Sequence, residues 1–434
     1  MARNNNLTDF LKDVADAIRE KTNAGGLINP QDFPERIAAI ETGGSGEQPE
    51  GTHTVRFIDV DGTILKTQYV ADGGTATPPA NPSREKCTFV KWSDPYTNIT
   101  NDTNVFALYK SVDGNTWYRV KAKAGQHLNL AIKCQTTSPV IIDWGDGSTD
   151  SATSQNSYSS YQHIYSVSFD GWVKVSSAGA FIPSSIDEGN PVVTEIIVGD
   201  VVNTIGSLAY KMTNLTACVI PATVKYQEGS PFRWCTSLVS IALPDGLTKL
   251  EANIPFAMLG LLFARVPSTM KNLSNTFLSY CYALQSVTIP SGVTSIGSNA
   301  FQYCYALQSV TIPSGVTSIG SSAFQYCYAL QSVTIPSGVT SIGSSAFQGC
   351  FALQSVTIPS GVTSIGSNAF QGCSGLITYI MEEAVPPSLG SDVFADCSAL
   401  AGIYVPDASV EAYKTATNWA AKADIIKPLS EFVE

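Results

Sequence analysis

Charge is scarce in this 434-residue chain: Asp, Glu, Lys and Arg make up 14% of it, against about a quarter in an ordinary soluble domain. The little there is leans acidic, 25 Lys and Arg against 36 Asp and Glu, a net of −11. No dense basic run occurs, so the clustered cations that release counterions from nucleic-acid phosphates are missing, and no nucleic-acid partner is expected. No run of 18 apolar residues occurs, so no segment is expected to insert in a membrane. The N-terminus, Met1 to Asp13, has acidic residues where a secretory signal would be apolar, and Pro428 to Glu434 has neither hydrophobic tail nor basic stop. Neither signal peptide nor anchor is expected. Only His53, His127 and His163 are histidines, far apart, and no Cys-x-x-Cys or Cys/His cluster occurs. No metal site, cofactor or Ser-His-Asp or Cys-His constellation is assembled from these residues, which points away from an enzyme.

What the chain does have is Ser, Thr, Asn and Gly, an apolar fraction of 44%, and enough length for several domains. It also repeats itself. The unit from Ser286 to Gln308 recurs almost unchanged, so that Cys281, Cys304, Cys327, Cys350 and Cys373 follow at steps of 23, with Cys235 46 residues before and Cys397 24 after. One cysteine per repeat at one phase means one buried slot per coil, where a thiol acts as a small hydrophobe. The five are therefore read as a reduced structural ladder rather than as disulfides or metal ligands. Stepping back from Cys281 reaches Met258, Cys235 and Met212 in degenerate copies, giving about nine coils. Within a unit, Val310 and Ile312 alternate with Ser309 and Thr311 as a short half-buried strand, and Pro313 and Gly315 turn the chain. Val316, Ile319, Ala323, Phe324, Cys327 and Leu330 then fill an interior. One unit cannot bury that face alone, so the coils must stack, in a parallel ladder about 40 Å long at about 4.8 Å per strand.

The repeat, Ile-Pro…Val-Thr-x-Ile-Gly-x-x-Ala-Phe-x-x-Cys-x-x-Leu, resembles the BspA-like leucine-rich repeats, a family mostly of surface proteins that adhere to host proteins or other cells. The tail from Ile403 through Val410 and Trp419 to Pro428 is similar to the helical cap that closes such arrays. The fold class that follows is mainly β and multidomain: a short α-helical N-terminus, two small β modules, and a leucine-rich-repeat solenoid with parallel strands and a helical C-terminal cap. The expected boundaries are 1–44 for the helical segment, 45–52 a linker, 53–111 and 112–180 the modules, 181–400 the solenoid and 401–434 the cap.

In residues 1–44, Leu7, Phe10, Leu11, Val14, Ala15 and Ile18 make one apolar helix face, Gly25-Gly26 stops it, and Asn29-Pro30 opens a second helix. The segment resembles the N-terminus of tail or fibre proteins of phages and prophages, which implies attachment to other virion tail proteins. The run from Tyr69 through Gly73-Gly74-Thr75 and Pro78 to Trp92 resembles the Listeria–Bacteroides (internalin B-type) repeat, a β-grasp-like module. Asp143-Trp144-Gly145-Asp146-Gly147-Ser148, with His163 and Tyr165 following, resembles a PKD-type, Ig-like β-sandwich. Both resemblances imply spacers ahead of a displayed binding domain.

Several motifs admit two readings. Phe57-Ile-Asp59-Val-Asp61-Gly62-Thr63 copies the first motif of haloacid-dehalogenase phosphatases, where the first Asp is nucleophile and the second a general acid beside Mg²⁺. A Pro/Gly-rich β segment follows instead of a βαβ rhythm, so a tight Asp-Gly turn between strands is the expectation. Asp143, Asp146 and Asp150 carry oxygens that Ca²⁺ accepts, but at spacings that miss the EF-hand pattern; a structural turn is expected there. Tyr280 and Tyr282, Tyr303 and Tyr305, and Tyr326 and Tyr328 flank core cysteines where the family usually has Gly and a small residue. They either grip a ligand or stack along the solenoid and stabilise it. Ser309, Thr311, Ser332 and Thr334, in line with Ser286, Thr288, Ser355 and Thr357, form an outward hydroxyl ladder that either binds ligand or solubilises a β face.

The chain is thus expected to be a non-enzymatic virion protein of a phage or prophage, of tail-fibre or receptor-binding type, reaching the outside by lysis. Its partners would be a host-cell surface protein or glycan on the solenoid and virion tail proteins on residues 1–44. A small helical unit with one apolar face rarely stands alone, so a homo-oligomer, a trimer by preference, is expected. The alternative is a bacterial surface adhesin of the BspA-like kind.

Overall fold

A computed structural model describes residues 48–432 apart from 94–95, 156, 185–191, 230, 248–257 and 259; the expected N-terminal helices lie outside the described residues. The protein is mainly β, 5% helical, and its body is a parallel-strand solenoid of about ten turns. Strands follow at the repeat: Val193–Ile197, Ala217–Val219, Ser240–Ala242, Phe263–Arg265, Ser286–Thr288, Ser309–Thr311, Ser332–Thr334, Ser355–Ile358, Thr378–Met381 and Gly402–Val405. The turn beyond the nine expected is the one begun by Gly402–Val405, which leads into the cap. Pairing is parallel and in phase, Val310 opposite Val333 and Thr311 opposite Thr334. A second row, from Asn272–Leu273 through Ser318–Ile319 to Ser388–Leu389, pairs the same way on the far side of each coil.

Alternation sets the faces. Val310, Ile312 and their copies point inward and are buried, while Ser309 and Thr311 point out and are exposed. Phe301, Phe324, Phe347 and Phe370 stack down the interior at 5.3 Å between ring centroids. At one corner, Asn299, Ser322, Ser345 and Asn368 take left-handed φ of 55–61°, a conformation that short polar side chains tolerate best.

Both ends of the array are closed. Residues 116–184 form two packed sheets, and one of them, Thr149–Ala152, Val140–Asp143, Phe169–Ser177 and Thr116–Ala122 in that order, continues directly into Val193–Ile197 and Ala217–Val219. Thr116–Ala122 pairs antiparallel with Val193–Ile197, so the first coil's edge is hydrogen-bonded rather than bare. One hydrophobic core runs from Tyr118 to Ile426 across that join. At the other end Ile426–Pro428 pairs with Gly402–Val405, and the short helix Val410–Thr415 lays buried Tyr413 beside buried Trp419.

Residues 52–111 form a mixed sheet in the order Ile64–Ala71, Thr52–Ile58, Thr103–Ser111, Cys87–Trp92, its central pair parallel. The sheet lies along the solenoid's side: Thr103–Ser111 crosses Ala217–Val219, Ser240–Ala242, Phe263–Arg265 and Ser286–Thr288. Ile58 and Phe106 form a small core with Ala242 and Phe263. Ile197, Ala217 and Val219 join the core of the module itself. Residues 53–111, expected as a spacer ahead of the solenoid, thus lie against its side instead. Apolar Ile197, Val219, Ala242 and Phe263 stand at outward strand positions where later coils carry Ser and Thr, and burying that strip is what holds the module down. Arg265 in the seam is 1% exposed, its guanidinium donating to Leu243 O at 2.7 Å and Asp245 Oδ1 at 2.6 Å. Asn104 Nδ2 donates to Ser286 Oγ at 2.7 Å, where the cover ends.

Candidate binding surface

The two acidic motifs are spent on turns. Asp59 N donates to Thr63 O and Gly62 N to Asp59 O, both at 2.9 Å. Asp59 is 8% exposed, and its carboxylate accepts from Tyr109 Oη at 2.8 Å and lies 3.4 Å from Arg84. Arg84 also meets Asp61 at 3.1 Å and Glu195, on the first solenoid strand, at 3.2 Å. Burial works against the charge of Asp61, but hydrogen bonds from Thr63 and Arg84 outweigh it and hold the carboxyl below its usual range. A nucleophile needs an open approach; Asp59 is enclosed by Tyr109 and Arg84 of its own module, and it is Arg84 that reaches the solenoid, at Glu195. In the sandwich, Asp143 accepts from Gly145 N, and Asp146 accepts from Ser148 N and contacts His163 Nε2 at 2.7 Å. Trp144 stacks on His163 and donates to Asp150 at 2.8 Å. Among the described residues no group of His, Cys, Asp and Glu is placed to hold a metal.

The repeat columns are where side chains gather without a covering module. Cys281, Cys304, Cys327, Cys350 and Cys373 are fully buried and free. The thiols of Cys304 and Cys327 donate to Leu278 O and Phe301 O at 3.3 Å, and the next coils repeat the bond. Burial pushes the Cys281 thiol up to about 12.

The tyrosines beside them form two columns. Tyr282, Tyr305, Tyr328 and then Phe351 stack at 4.7, 4.6 and 4.8 Å with planes within 11°. Tyr280, Tyr303 and Tyr326 stack at 4.9 and 5.3 Å, and the columns meet edge to face at 6.0–6.3 Å. Tyr282 is only 5% exposed and Tyr280 38%, with the other four half-buried. Stacking covers the ring faces within each column. The outer column has a backbone cost. Tyr280, Tyr303 and Tyr326 have φ of 61–64°, and the same place in the next coils is Gly349 and Gly372 at 73°. A bulky residue there is strained by about 1–2 kcal/mol. Gly349 is required in turn, because a methyl group on it would lie 2.5 Å from Tyr326 Cδ1. Outside this column Gln302, Gln325, Gln348 and Gln371 pass amide hydrogen bonds from coil to coil.

On the strand face Ser309, Thr311, Ser332, Thr334, Ser355 and Thr357 are exposed, whereas Ser286 and Thr288 are half-covered. Two features escape a reading of the repeats alone: the apolar outward residues of the early coils, and Tyr210, Lys211, Arg233 and Trp234, which fall in line with the tyrosine side. The signal for both was present, as departures from the repeat at fixed phase.

A stacked, capped array of parallel coils at a 23-residue step, each with one buried cysteine or methionine slot, has the form of a leucine-rich-repeat solenoid. The family described as BspA type leucine rich repeat region matches residues 203–331 and 294–417, in six copies. Residues 203–417 are accordingly a BspA-type leucine-rich-repeat region. Among solved structures the chain is similar to a leucine-rich repeat protein from Bacteroides ovatus, 22% identical, over 54% of this chain and 72% of that one, with a TM-score of 0.43. It is also similar to the leucine-rich repeat protein of T. pallidum, 21% identical over 56% and 88%, TM-score 0.34. A leucine-rich cell surface protein from Faecalibacterium prausnitzii is 22% identical over 60% and 88%, TM-score 0.28. No curated protein matches the chain.

Proposed function

We propose that the chain is a non-catalytic binding protein that recognises a host-cell surface protein or glycan with the tyrosine side of its solenoid. The observation that carries this is the outer column: three tyrosines kept at left-handed backbone positions where the next two coils use Gly349 and Gly372. Strain of that kind persists where the side chain returns something for it, and hydroxyls at about 5 Å intervals offer a regular row of donors and acceptors. The strand face from Ser309 to Thr357 is polar just where no module covers it, so it serves as solvent-facing surface. Full-length protein should compete with itself for adsorption to target cells, and Tyr303→Gly should weaken that competition about tenfold or more. Equal competition by the variant would remove the tyrosines from the site.

The finer proposal places the molecule on a phage or prophage tail, extracellular after lysis, docked and trimerised through residues 1–44. Its support is the likeness of that segment to tail-fibre N-termini. The BspA-type repeats equally suit a bacterial surface adhesin. Finding the chain in purified particles and not in the cell envelope favours the tail; the reverse distribution favours the adhesin.

A further inference from the structure

The line of the outer tyrosines runs back into the early coils, and there cations enter it. Trp234 stands 46 residues before Tyr280 and Lys211 another 23 before that, both left-handed, at φ 68° and 57°. Beside them, in the column that the glutamines fill further on, stand Tyr210 and Arg233. Lys211 N donates to Arg233 O at 2.8 Å, which fixes the two coils in register. Ring and cation therefore alternate in both directions. Arg233 lies 5.8 Å from the Trp234 ring and Lys211 5.4 Å from the Tyr210 ring. Trp234 neighbours Lys211 across the coils, and Tyr210 neighbours Arg233.

Arg233 makes no ion pair among the described residues, and its Nε is closed off from solvent without an acceptor. Arg84, Arg119 and Arg265 are paired with carboxylates, whereas Arg233, like Arg56, meets none among the described residues, in a chain of net charge −11. A planar fork of N–H donors matches the two oxygens of a carboxylate, and an indole or phenol beside it offers a flat face to the C–H side of a sugar ring. We infer that Tyr210, Lys211, Arg233 and Trp234 form a subsite for an acidic saccharide, the carboxylate on Arg233 and the sugar ring on Trp234. The inference deepens the proposed function, since it rests on that side of the solenoid being the binding side, but it has its own residues and its own test.

The full chain is titrated with 3′-sialyllactose and with lactose at low and moderate salt, alongside a glycerol-phosphate oligomer and a short polyglutamate. The expected result is binding of sialyllactose at least tenfold tighter than of lactose and weakened by salt. Arg233→Lys, which keeps the charge and loses the fork, should cost about tenfold. Trp234→Gly, which suits the local φ, should abolish binding while the melting temperature holds. Lactose binding as tightly as the acid, or Arg233→Lys binding unchanged, overturns the subsite. Tighter binding of the glycerol-phosphate oligomer overturns the carboxylate, and equal binding of polyglutamate overturns the saccharide. If Tyr303→Gly loses cell adsorption while sialyllactose still binds through Arg233, the subsite stands apart from the tyrosines. If neither ligand class nor cell adsorption responds to any variant, the binding side itself has been misassigned.

Discussion

At the scale of single residues, the cysteine ladder was the most legible feature, because a strict phase of 23 leaves little choice but one interior slot per coil. Its chemistry follows from burial. Burial pushes Cys281 up to about 12 and raises Cys350 and Cys373 as well, which disfavours the thiolate that attacks a reagent at neutral pH. A thiol-specific disulfide reagent at pH 8 should label none of them until the protein unfolds, and reductant should leave the melting temperature where it was. Rapid native-state labelling of several ladder thiols would sink the assignment. These groups have folded values above the unfolded one of about 8.5. Their contribution is whole below that pH and drains away as pH rises toward 12, so alkaline melts should fall steadily while the Cys304→Ala, Cys327→Ala pair falls less steeply. Tyrosine exposure was not legible in the same way. Whether a ring is open depends on the ring in the next coil, 23 residues off, and sequence phase does not say how far each side chain leans.

At the scale of elements, the two tyrosine columns should separate under mutation. Tyr303→Gly gives up stacking with Tyr280 and Tyr326, about 0.5–1.5 kcal/mol for each pair, but releases about 1–2 kcal/mol of backbone strain. Its melting temperature should change by no more than a few degrees. Tyr305→Ala has no strain to release and opens a gap between Tyr282 and Tyr328, so a loss of about 2–4 kcal/mol is expected. Equal losses in the two variants would mean that strain plays no part. The module's turn gives a second contrast. Gly62 has φ +87° and a methyl there would meet Val239 Cγ2 at 2.4 Å. Gly62→Ala should therefore cost about 2–4 kcal/mol from conformation and overlap together, read by denaturant unfolding. At the same interface Asp61 holds Arg84, which pairs with Glu195, and Asp245 meets Lys91 and Arg265; against the upward pull of burial, Thr63 and then Arg84 hold Asp61 low, and Arg265 holds Asp245 low. Depressed carboxyls give their full stabilisation above the unfolded value of about 3.9 and lose it as pH falls through the folded one. The seam should loosen below about pH 4, and Asp61→Asn should flatten that acid limb. The phosphatase-like motif was readable as a turn from the absence of a βαβ rhythm; that its Gly62 abuts the solenoid could not be read, since Val239 is distant in the chain.

At the scale of the molecule, repeat number, direction and capping were legible because each repeats or terminates a pattern. The joins were not. That the sandwich sheet runs on into the first coil, and that residues 52–111 lie across the next ones, depends on apolar residues at outward positions, which in one sequence look only like decay of the repeat. The result is a solenoid with an armoured first half and a bare second half. The bare half is built of near-identical coils, from Ser309 to Cys373, held between ends that are sealed by unrelated residues. Near-identical coils are interchangeable. Excising residues 309–331 joins Gln308 to Ser332 in phase and should yield a folded protein with both caps intact, whose long axis is shorter by about 4.8 Å and whose unfolding remains cooperative. Collapse of that variant would mean the coils are not equivalent after all. If they are, the chain's length is adjustable in whole coils: recombination between copies could lengthen or shorten the exposed stretch without touching the module seam, and relatives would differ in reach before they differ in fold.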